Sequence, residues 1–595
     1  MRYSEIAEIY GEIEATTKRL EMTDLLVKLL KKATKDEIDQ VVYLTMGRLY
    51  PDYVGIELGI ADKLAIRSIA LNANVSEEDL LEDYKKSGDL GITAEKFASR
   101  KKQVKLANRT LSLSDVYSSF EKMAHAKGAG AVEQKIRALS GLLSDSSPQE
   151  TRFIIRTALG QLRLGVADMT MLDALSVAYG EGKETREYLE RAYNLSSDLG
   201  YVAKIVAESG IGAIKKFRIQ VGRPIRPMLA ERLQTASEIL EKMGGIAAAE
   251  YKYDGLRLQA HVESRRVALS KQVTLFSRRL ENVTPQFPDA AASIRESVRP
   301  EAAILEGECV AVDSSTGDLL PFQVISQRRG RKYDIEAKTE EIPVVVFVFD
   351  LLFADGKDYA ALPYATRRKA LEDSVQETEH VKLSRQIIIE SPEMIDRYMD
   401  QAVSDGCEGL IVKSLSAESA YKAGGRGFLW IKYKREYKSE MTDTVDLVAI
   451  GAFAGRGRRA GTYGALLLAA YNRQKDLFET LCKCGSGFTD EDLALLSRKA
   501  KGLRIPHRHA RVNSKIEPDV WLTPSMVLEV IGAEITVSPV HTCGSDTVRA
   551  GSGFAVRFPR FTGNYRDDKS PEDATTGGEI LEMYQNQLKK ITATI

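Results

Sequence analysis

Two textures divide the chain. From residue 1 to about 215, apolar positions recur at helical spacing: Tyr3, Ile6, Ile9, Tyr10 and Ile13, then Leu25, Leu26, Leu29 and Leu30, then Leu64, Ile66, Ile69 and Ala70. Recurrence every three and four residues lays an apolar stripe along each helix, so this region reads as all-α. Two glycine-bearing turns interrupt it. Lys127-Gly128-Ala129-Gly130 precedes a helix expected from Val132 to Leu143, and Gln161-Leu162-Arg163-Leu164-Gly165 closes an apolar helix. A glycine turn that opens a helix can offer backbone N–H groups to a phosphate; it can equally be a plain turn or C-cap.

The pattern changes near Gly210-Ile211-Gly212 and Val221-Gly222-Arg223-Pro224-Ile225-Arg226-Pro227, whose glycines and spaced prolines mark a linker. From about 245 to 437, strand runs such as Val344 to Phe349 alternate with helices such as the one through Thr366 and Leu371, an α/β texture. A third region opens at Val445. Its short strands are punctuated by glycine, as in Thr462 to Tyr471, and suggest a small β-barrel before a final helix from Gly578 to Ile591.

Composition adds limits. The 595 residues are 44% hydrophobic and 28% charged, ordinary for a globular protein of several domains. Acidic and basic residues balance at 84 each, so a nucleic-acid partner would have to be met by local basic patches. No apolar run approaches the ~18 residues of a membrane span, and the start of the chain reads as a charged amphipathic helix. Five scattered cysteines suit a reducing compartment, and a cytoplasmic location is expected. Cys482 and Cys484 share one face of a strand without the second pair that a zinc site needs.

Candidate chemistry is concentrated in the α/β region. Glu250-Tyr251-Lys252-Tyr253-Asp254-Gly255-Leu256-Arg257 places a lysine beside an Asp-Gly pair, a hairpin signal that would set Lys252 at a strand end and return Arg257 toward it. A lysine whose pKa is lowered by burial or neighbouring cations can act as a nucleophile, since only the neutral amine attacks. Five segments follow: Phe276-Ser277-Arg278; Leu305 to Val310, with Glu306 and Glu308 on one face; Phe347 to Leu352, read as a strand ending in an aromatic and an acid; Glu408 to Lys413; and Trp430 to Lys434, with two lysines on one face. Each alone reads as structural, since alternating Lys and Glu usually mark a solvated strand face and the Phe347 to Leu352 run a buried strand. Together they describe a site for a polyphosphate, a divalent cation and a stacked base.

This ordered set resembles the covalent nucleotidyltransferases, and most closely the ATP-dependent DNA ligases of the archaeal and eukaryotic replicative type, over essentially the whole chain. The resemblance implies an all-α DNA-binding domain over 1–215, an α/β (ATP-grasp-like) nucleotidyltransferase domain over 216–437, and a β-barrel OB-fold with a C-terminal helix over 438–595. It implies that Lys252 becomes adenylylated, with Glu250 and Arg257 near adenine and ribose and Arg278 near the ribose or a DNA phosphate. Phe349 would stack on adenine, Glu308 and Glu408 would handle the ribose or a metal ion, and Arg426, Lys432 and Lys434 would hold the α-phosphate. Val556-Arg557-Phe558-Pro559-Arg560-Phe561 and Arg566-Asp567-Asp568-Lys569 resemble the family's last motif, so Arg557, Arg560 and Lys569 would help expel pyrophosphate. The implied activity is the sealing of 5′-phosphate/3′-hydroxyl nicks in duplex DNA by a monomer, with ATP as co-substrate and Mg²⁺.

Two features depart from the family pattern. The hairpin expected between Arg257 and Phe276, through Glu263-Ser264-Arg265-Arg266 and Lys271, is longer than the family usually shows, and its tip would project from the sheet toward DNA. Gln103-Val104-Lys105-Leu106 stands near the place of a sliding-clamp peptide but lacks that peptide's aromatics, which weighs against the clamp as a partner. An RNA-capping guanylyltransferase or an RNA ligase would share the lysine motif without the long helical region or the Arg557 to Arg560 segment. An NAD-dependent ligase would bring a zinc cysteine cluster and a nicotinamide-binding module. A DNA-clamping scaffold without catalysis would have no need of the lysine and its matched acids.

Overall fold

The computed structural model describes residues 1–592 apart from 101–109, 181–182, 266–269, 313–318, 332, 435–442, 456–461, 533, 539, 549 and 558. The Gln103 to Leu106 segment, the hairpin tip at Arg266, and Phe558 therefore lie outside the described residues. Two compact units form: Met1–Asn72 with Ala98–Arg435, and Ala73–Phe97 with Glu436–Ile595. Among the described residues no helix is long and apolar enough to cross a membrane.

In the first unit the expected helical periodicity is realised. Tyr3, Ile6, Ile9, Tyr10 and Ile13 form the buried stripe of helix Tyr3–Glu14. Ser112 and Ser147 cap helices Leu113–His125 and Pro148–Ala158, each paired with an acid three residues on, which satisfies backbone N–H groups that the helix itself cannot. The break expected near Gly210 falls inside helix Leu199–Lys215, where Gly210 turns to φ 71° and kinks the run. Beyond it the linker is pinned to the helical region. Asp198 accepts from Tyr43, Tyr53 and Arg223, and Arg226 reaches Asp168 at 3.2 Å.

The α/β region holds two antiparallel-rich sheets. Its strands in chain order are β1 (Leu229–Arg232), β2 (Ala247–Lys252), β3 (Leu256–Arg265), β4 (Ser270–Ser277), β5 (Ala302–Ala311), β6 (Val344–Ala354), β7 (Lys357–Asp358), β8 (Val381–Leu383), β9 (Gln386–Ile389), β10 (Gly409–Ser414) and β11 (Arg426–Lys434). One sheet runs β1-β11-β10-β2-β9, the other β4-β3-β5-β6-β7 with β8 on β6. Ala247, Ala249 and Tyr251 of β2 pack with Ile239, Ile395 and Tyr398 of the flanking helices. Alternation leaves Ala248, Glu250 and Lys252 on the opposite face.

The Asp-Gly hairpin expected after Lys252 is not formed. β2 and β3 belong to different sheets, and Asp254-Gly255 carries the chain from one to the other. A tight hairpin turn needs glycine at positive φ, whereas Gly255 is absent from the left-handed set and is a glycine because a Cβ there would lie 2.3 Å from the Cys309 carbonyl. The hairpin expected between Arg257 and Phe276 does form, from β3 and β4. Nor does the Phe349-Asp350 pair end its strand, for β6 continues to Ala354.

The second unit is mostly β. Strands Val445–Ala454, Tyr463–Asn472, Leu477–Cys484 and Val520–Ile531 form the centre of a seven-stranded sheet, and Glu534–Ser538 pairs with Gly553–Arg557. Leu447, Leu466, Leu468, Leu481 and Leu528 make its core, which Ile580 of the terminal helix Gly577–Thr592 joins. Cys482 and Cys484 are free thiols buried in that core.

Candidate active site

Strand pairing assembles the site. Gly409, at the start of β10, lies opposite Lys252 of β2 on one side and Lys434 of β11 on the other. Only glycine fits there: its φ is +146°, and a Cβ would stand 2.4 Å from the Tyr433 carbonyl. With no side chain between the two lysines, both ammonium groups reach Glu408, the residue just before β10. Lys252 Nζ is 2.6 Å from Glu408 Oε2, and Lys434 shares the same oxygen. Ile411 faces Lys432, and Lys413 faces Trp430, so the alternating positions of β11 continue this surface.

Acidic groups surround the lysine. Asp254 shares a hydrogen bond with Glu408 and accepts from the Phe322 backbone N–H at 3.1 Å. Burial, then the shared bond with Glu408, pushes the Asp254 carboxyl up to about 6. Burial also pushes Glu308 up to about 7, opposed by Lys252 and Arg257 and reinforced by Glu408 and Asp254. For Glu408 burial acts upward too, but Lys252 and Lys434 outweigh it and bring the group down to about 2. Three carboxyl groups thus crowd one lysine, and two of them keep their protons to a higher pH than an ordinary carboxyl.

On the β3–β5 sheet, Arg257 faces Glu308 and Gln259 faces Glu306. Arg257 binds Glu306 at 2.6 Å and the Met228 carbonyl at 3.0 Å. Its guanidinium lies 5.5 Å from the Phe349 ring centre and 5.7 Å from that of Trp430, and the two rings meet edge to face at 6.1 Å. Beneath them Lys413 is buried: its ammonium pairs with Glu250 at 2.9 Å, donates to the Phe349 carbonyl, and lies under 5 Å from the ring centres of Phe349, Tyr364 and Trp430. Burial lowers its pKa, and Glu250 works against that shift. Lys432 is likewise lowered, first by burial and then by Arg426, Lys434, Lys252 and Arg232.

The structure therefore brings Glu250, Lys252, Arg257, Glu308, Phe349, Glu408, Lys432 and Lys434 to one site. Arg426 begins β11, exposed but close enough to act on Lys432. Arg278 is exposed just past the end of β4. In the second unit, Arg557 ends a strand opposite Glu534, and Arg560 is exposed at the start of strand Arg560–Tyr565. Lys569 and Arg566 both bind Asp446, at 2.6 and 2.9 Å. Sequence reasoning assigned no role to Glu306, Lys413, Tyr421 or Trp430. Lys413 was within reach, because it lies two and four residues along the same strand face as Ile411 and Gly409.

Among the described residues no three His, Cys, Asp or Glu side chains form a ready-made metal cage. The carboxyl groups of Glu308, Glu408 and Asp254 are oxygen donors of the kind a magnesium ion takes one or two at a time, with water and substrate phosphates completing its shell.

Comparison with known proteins covers all three regions. Residues 2–176 match the DNA ligase N terminus, residues 227–434 the ATP dependent DNA ligase domain, and residues 459–569 the ATP dependent DNA ligase C terminal region. The chain is 50% identical over 595 residues to DNA ligase 2 of Thermofilum pendens, covering 99% of this chain and 98% of that one. It is 48% identical over 604 residues to the DNA ligase of Staphylothermus marinus, covering all of both chains. The probable DNA ligase of Persephonella marina is 46% identical, over 99% of this chain and all of its own. A solved structure named Pmar-Lig_PreS3 superposes with a TM-score of 0.54 at 17% identity, over 94% of this chain and 99% of its own, a likeness of fold.

Proposed function

The chain belongs to the ATP-dependent DNA ligase family, and from that premise we propose that it seals 5′-phosphate/3′-hydroxyl nicks in duplex DNA through an adenylate carried on Lys252. The observation that carries this reading is that Lys252 and Lys434, on the two strands flanking β10, close on Glu408 from either side, while Arg257 on the facing sheet lies against the aromatic pair Phe349 and Trp430. In the first step the neutral Lys252 amine attacks the α-phosphorus of ATP; an N–P bond forms and the P–O bond to pyrophosphate breaks. Arg426, Lys432 and Lys434 would oppose charge on the phosphoryl oxygens as the transition state forms. Phe349 would stack on adenine and Glu250 accept from its amino group, while Arg257 would orient the ribose, with Arg278 nearby at the ribose or a DNA phosphate. AMP then passes to the 5′-phosphate of the nick, and the 3′-hydroxyl displaces it.

Glu308 and Glu408 would hold Mg²⁺, which supplies charge neutralisation at the phosphates. Arg557, Arg560 and Lys569 would assist pyrophosphate departure from a C-terminal OB-fold domain over 438–595. The nucleotidyltransferase domain would span 216–437, and a DNA-binding domain 1–215. Basic groups of the latter would grip DNA through its backbone, as would the N–H groups of the turn at Gly128 and Gly130, so binding should weaken steeply with salt. The expected working form is a cytoplasmic monomer.

The test is a nicked duplex offered with ATP and Mg²⁺. Sealing that requires the 5′-phosphate and ATP supports the reading, and failure to seal while binding the same DNA would overturn it.

A further inference from the structure

We propose that Arg367 and Tyr364, at the N-terminal end of helix Tyr364–Ser374, are positioning residues that hold the Phe349 ring and the Glu250 carboxylate in register as one base-reading unit. The inference rests on the proposed roles of Phe349 and Glu250 toward adenine and adds the element that sets them.

The geometry begins with a buried ion pair. Arg367 grips Asp350 through two bonds, Nε to Oδ1 at 2.7 Å and Nη2 to Oδ2 at 3.0 Å, and both side chains are 0% exposed. Asp350 immediately follows Phe349. At that point β6 slips register against β5: Glu306 lies opposite Asp350 and Gly307 opposite Val348, which leaves Phe349 as the extra residue of a bulge. Bulges re-aim a side chain, and this one is fixed by the residue next to the ring. The remaining Arg367 nitrogen, Nη1, donates to the carbonyls of Leu362 and Ser419, both at 2.8 Å. Ser419 stands two residues before Tyr421, whose hydroxyl accepts from the Met228 backbone N–H and from Arg257. One guanidinium thus fixes both the bulge that carries Phe349 and the loop that carries a partner of Arg257.

Tyr364 completes the arrangement on the other sheet. Its hydroxyl donates to Glu250 and accepts from Gln386 at 2.6 Å, while its backbone N–H donates to Ser419 Oγ at 3.0 Å. Lys413 holds the other oxygen of Glu250 and also the Phe349 carbonyl, so the carboxylate and the ring share braces from two directions. A buried ion pair gives little net stability, because desolvation offsets attraction and an apolar pair of like volume often serves as well. What a bidentate arginine adds is fixed geometry, which a lysine cannot copy.

The test compares the wild-type protein with Tyr364→Phe and with the double variant Arg367→Met/Asp350→Leu, which leaves no unpaired buried charge. For each, the ATP concentration giving half-maximal lysyl-adenylate formation, the limiting rate and the melting temperature are measured. Loss of the brace is expected to raise the half-saturating ATP concentration about threefold to tenfold, a larger change than the fall in limiting rate. A folded variant with wild-type half-saturation, whether or not its melting point has dropped, overturns the proposal. Should the double variant fail to fold, Tyr364→Phe decides alone. Wild-type protein that takes no label from ATP would instead overturn the functional reading beneath it.

Discussion

Lys252 Nζ and Glu408 Oε2 are 2.6 Å apart, so the proposed nucleophile rests in an ion pair whose anion also binds Lys434. Glu408, expected at the ribose or a metal ion, stands in the structure against the lysine itself. An amine held this way is oriented, but the pair must open before its lone pair can attack phosphorus. A metal ion or the phosphates of ATP would compete for the same two partners, which ties readiness of the nucleophile to arrival of substrate.

Glu408→Gln keeps the shape of the side chain and removes its charge. Lysyl-adenylate formation is expected to slow about a hundredfold or more, the scale of losing one preorganised electrostatic partner. Rapid-quench measurement of the adenylate checks this, with nicked-DNA binding as the control that should change little.

The raised carboxyl groups give a pH dependence whose sign is fixed. Asp254, near 6, and Glu308, near 7, are protonated in the folded protein at pH values where an unfolded chain has released those protons. They therefore contribute stability at low pH that is lost as pH rises through 6 and 7. Activity should run the other way, since a cation needs the carboxylates charged, and adenylate formation should fall as pH drops from 8 to 6. Denaturant titrations from about pH 4 to pH 8 test the first slope and adenylation rates from pH 8 to 6 the second, and Glu308→Gln should flatten the first.

Lys413 and Glu250 form a nearly sealed pair, with side-chain exposures of 1% and 2%. Lys413→Met leaves a buried carboxylate short of its main partner and is expected to cost about 3 kcal/mol of stability. Adding Glu250→Gln should recover much of that loss without restoring ATP binding. Chemical denaturation of the two variants, with ATP half-saturation beside it, separates the structural part from the functional one.

Much of this site was legible because strands alternate. Glu306 with Glu308, and Lys432 with Lys434, announce shared faces by spacing alone, and the structure keeps those faces. Which sheet a strand joins is a long-range choice that spacing does not encode. The Asp254-Gly255 turn consequently read as a hairpin, although it crosses between sheets against the Cys309 carbonyl. Lys413 was visible as a strand residue, but its burial among three rings depends on helix Tyr364–Ser374 and β6 meeting it from distant parts of the chain. Arg367 shows the same limit: an arginine in a charged helix reads as solvated until Asp350 is found beneath it.

The most direct test of the account is covalent labelling with ATP radiolabelled at the α-phosphate, run beside GTP, on wild-type protein stripped of bound AMP by pyrophosphate and on Lys252→Ala. The account requires an acid-labile protein adduct from ATP and Mg²⁺, little or none from GTP, and none in Lys252→Ala, which should still bind nicked DNA. Label that persists in Lys252→Ala, or its absence from stripped wild-type protein, would contradict the assignment of Lys252 as the nucleophile.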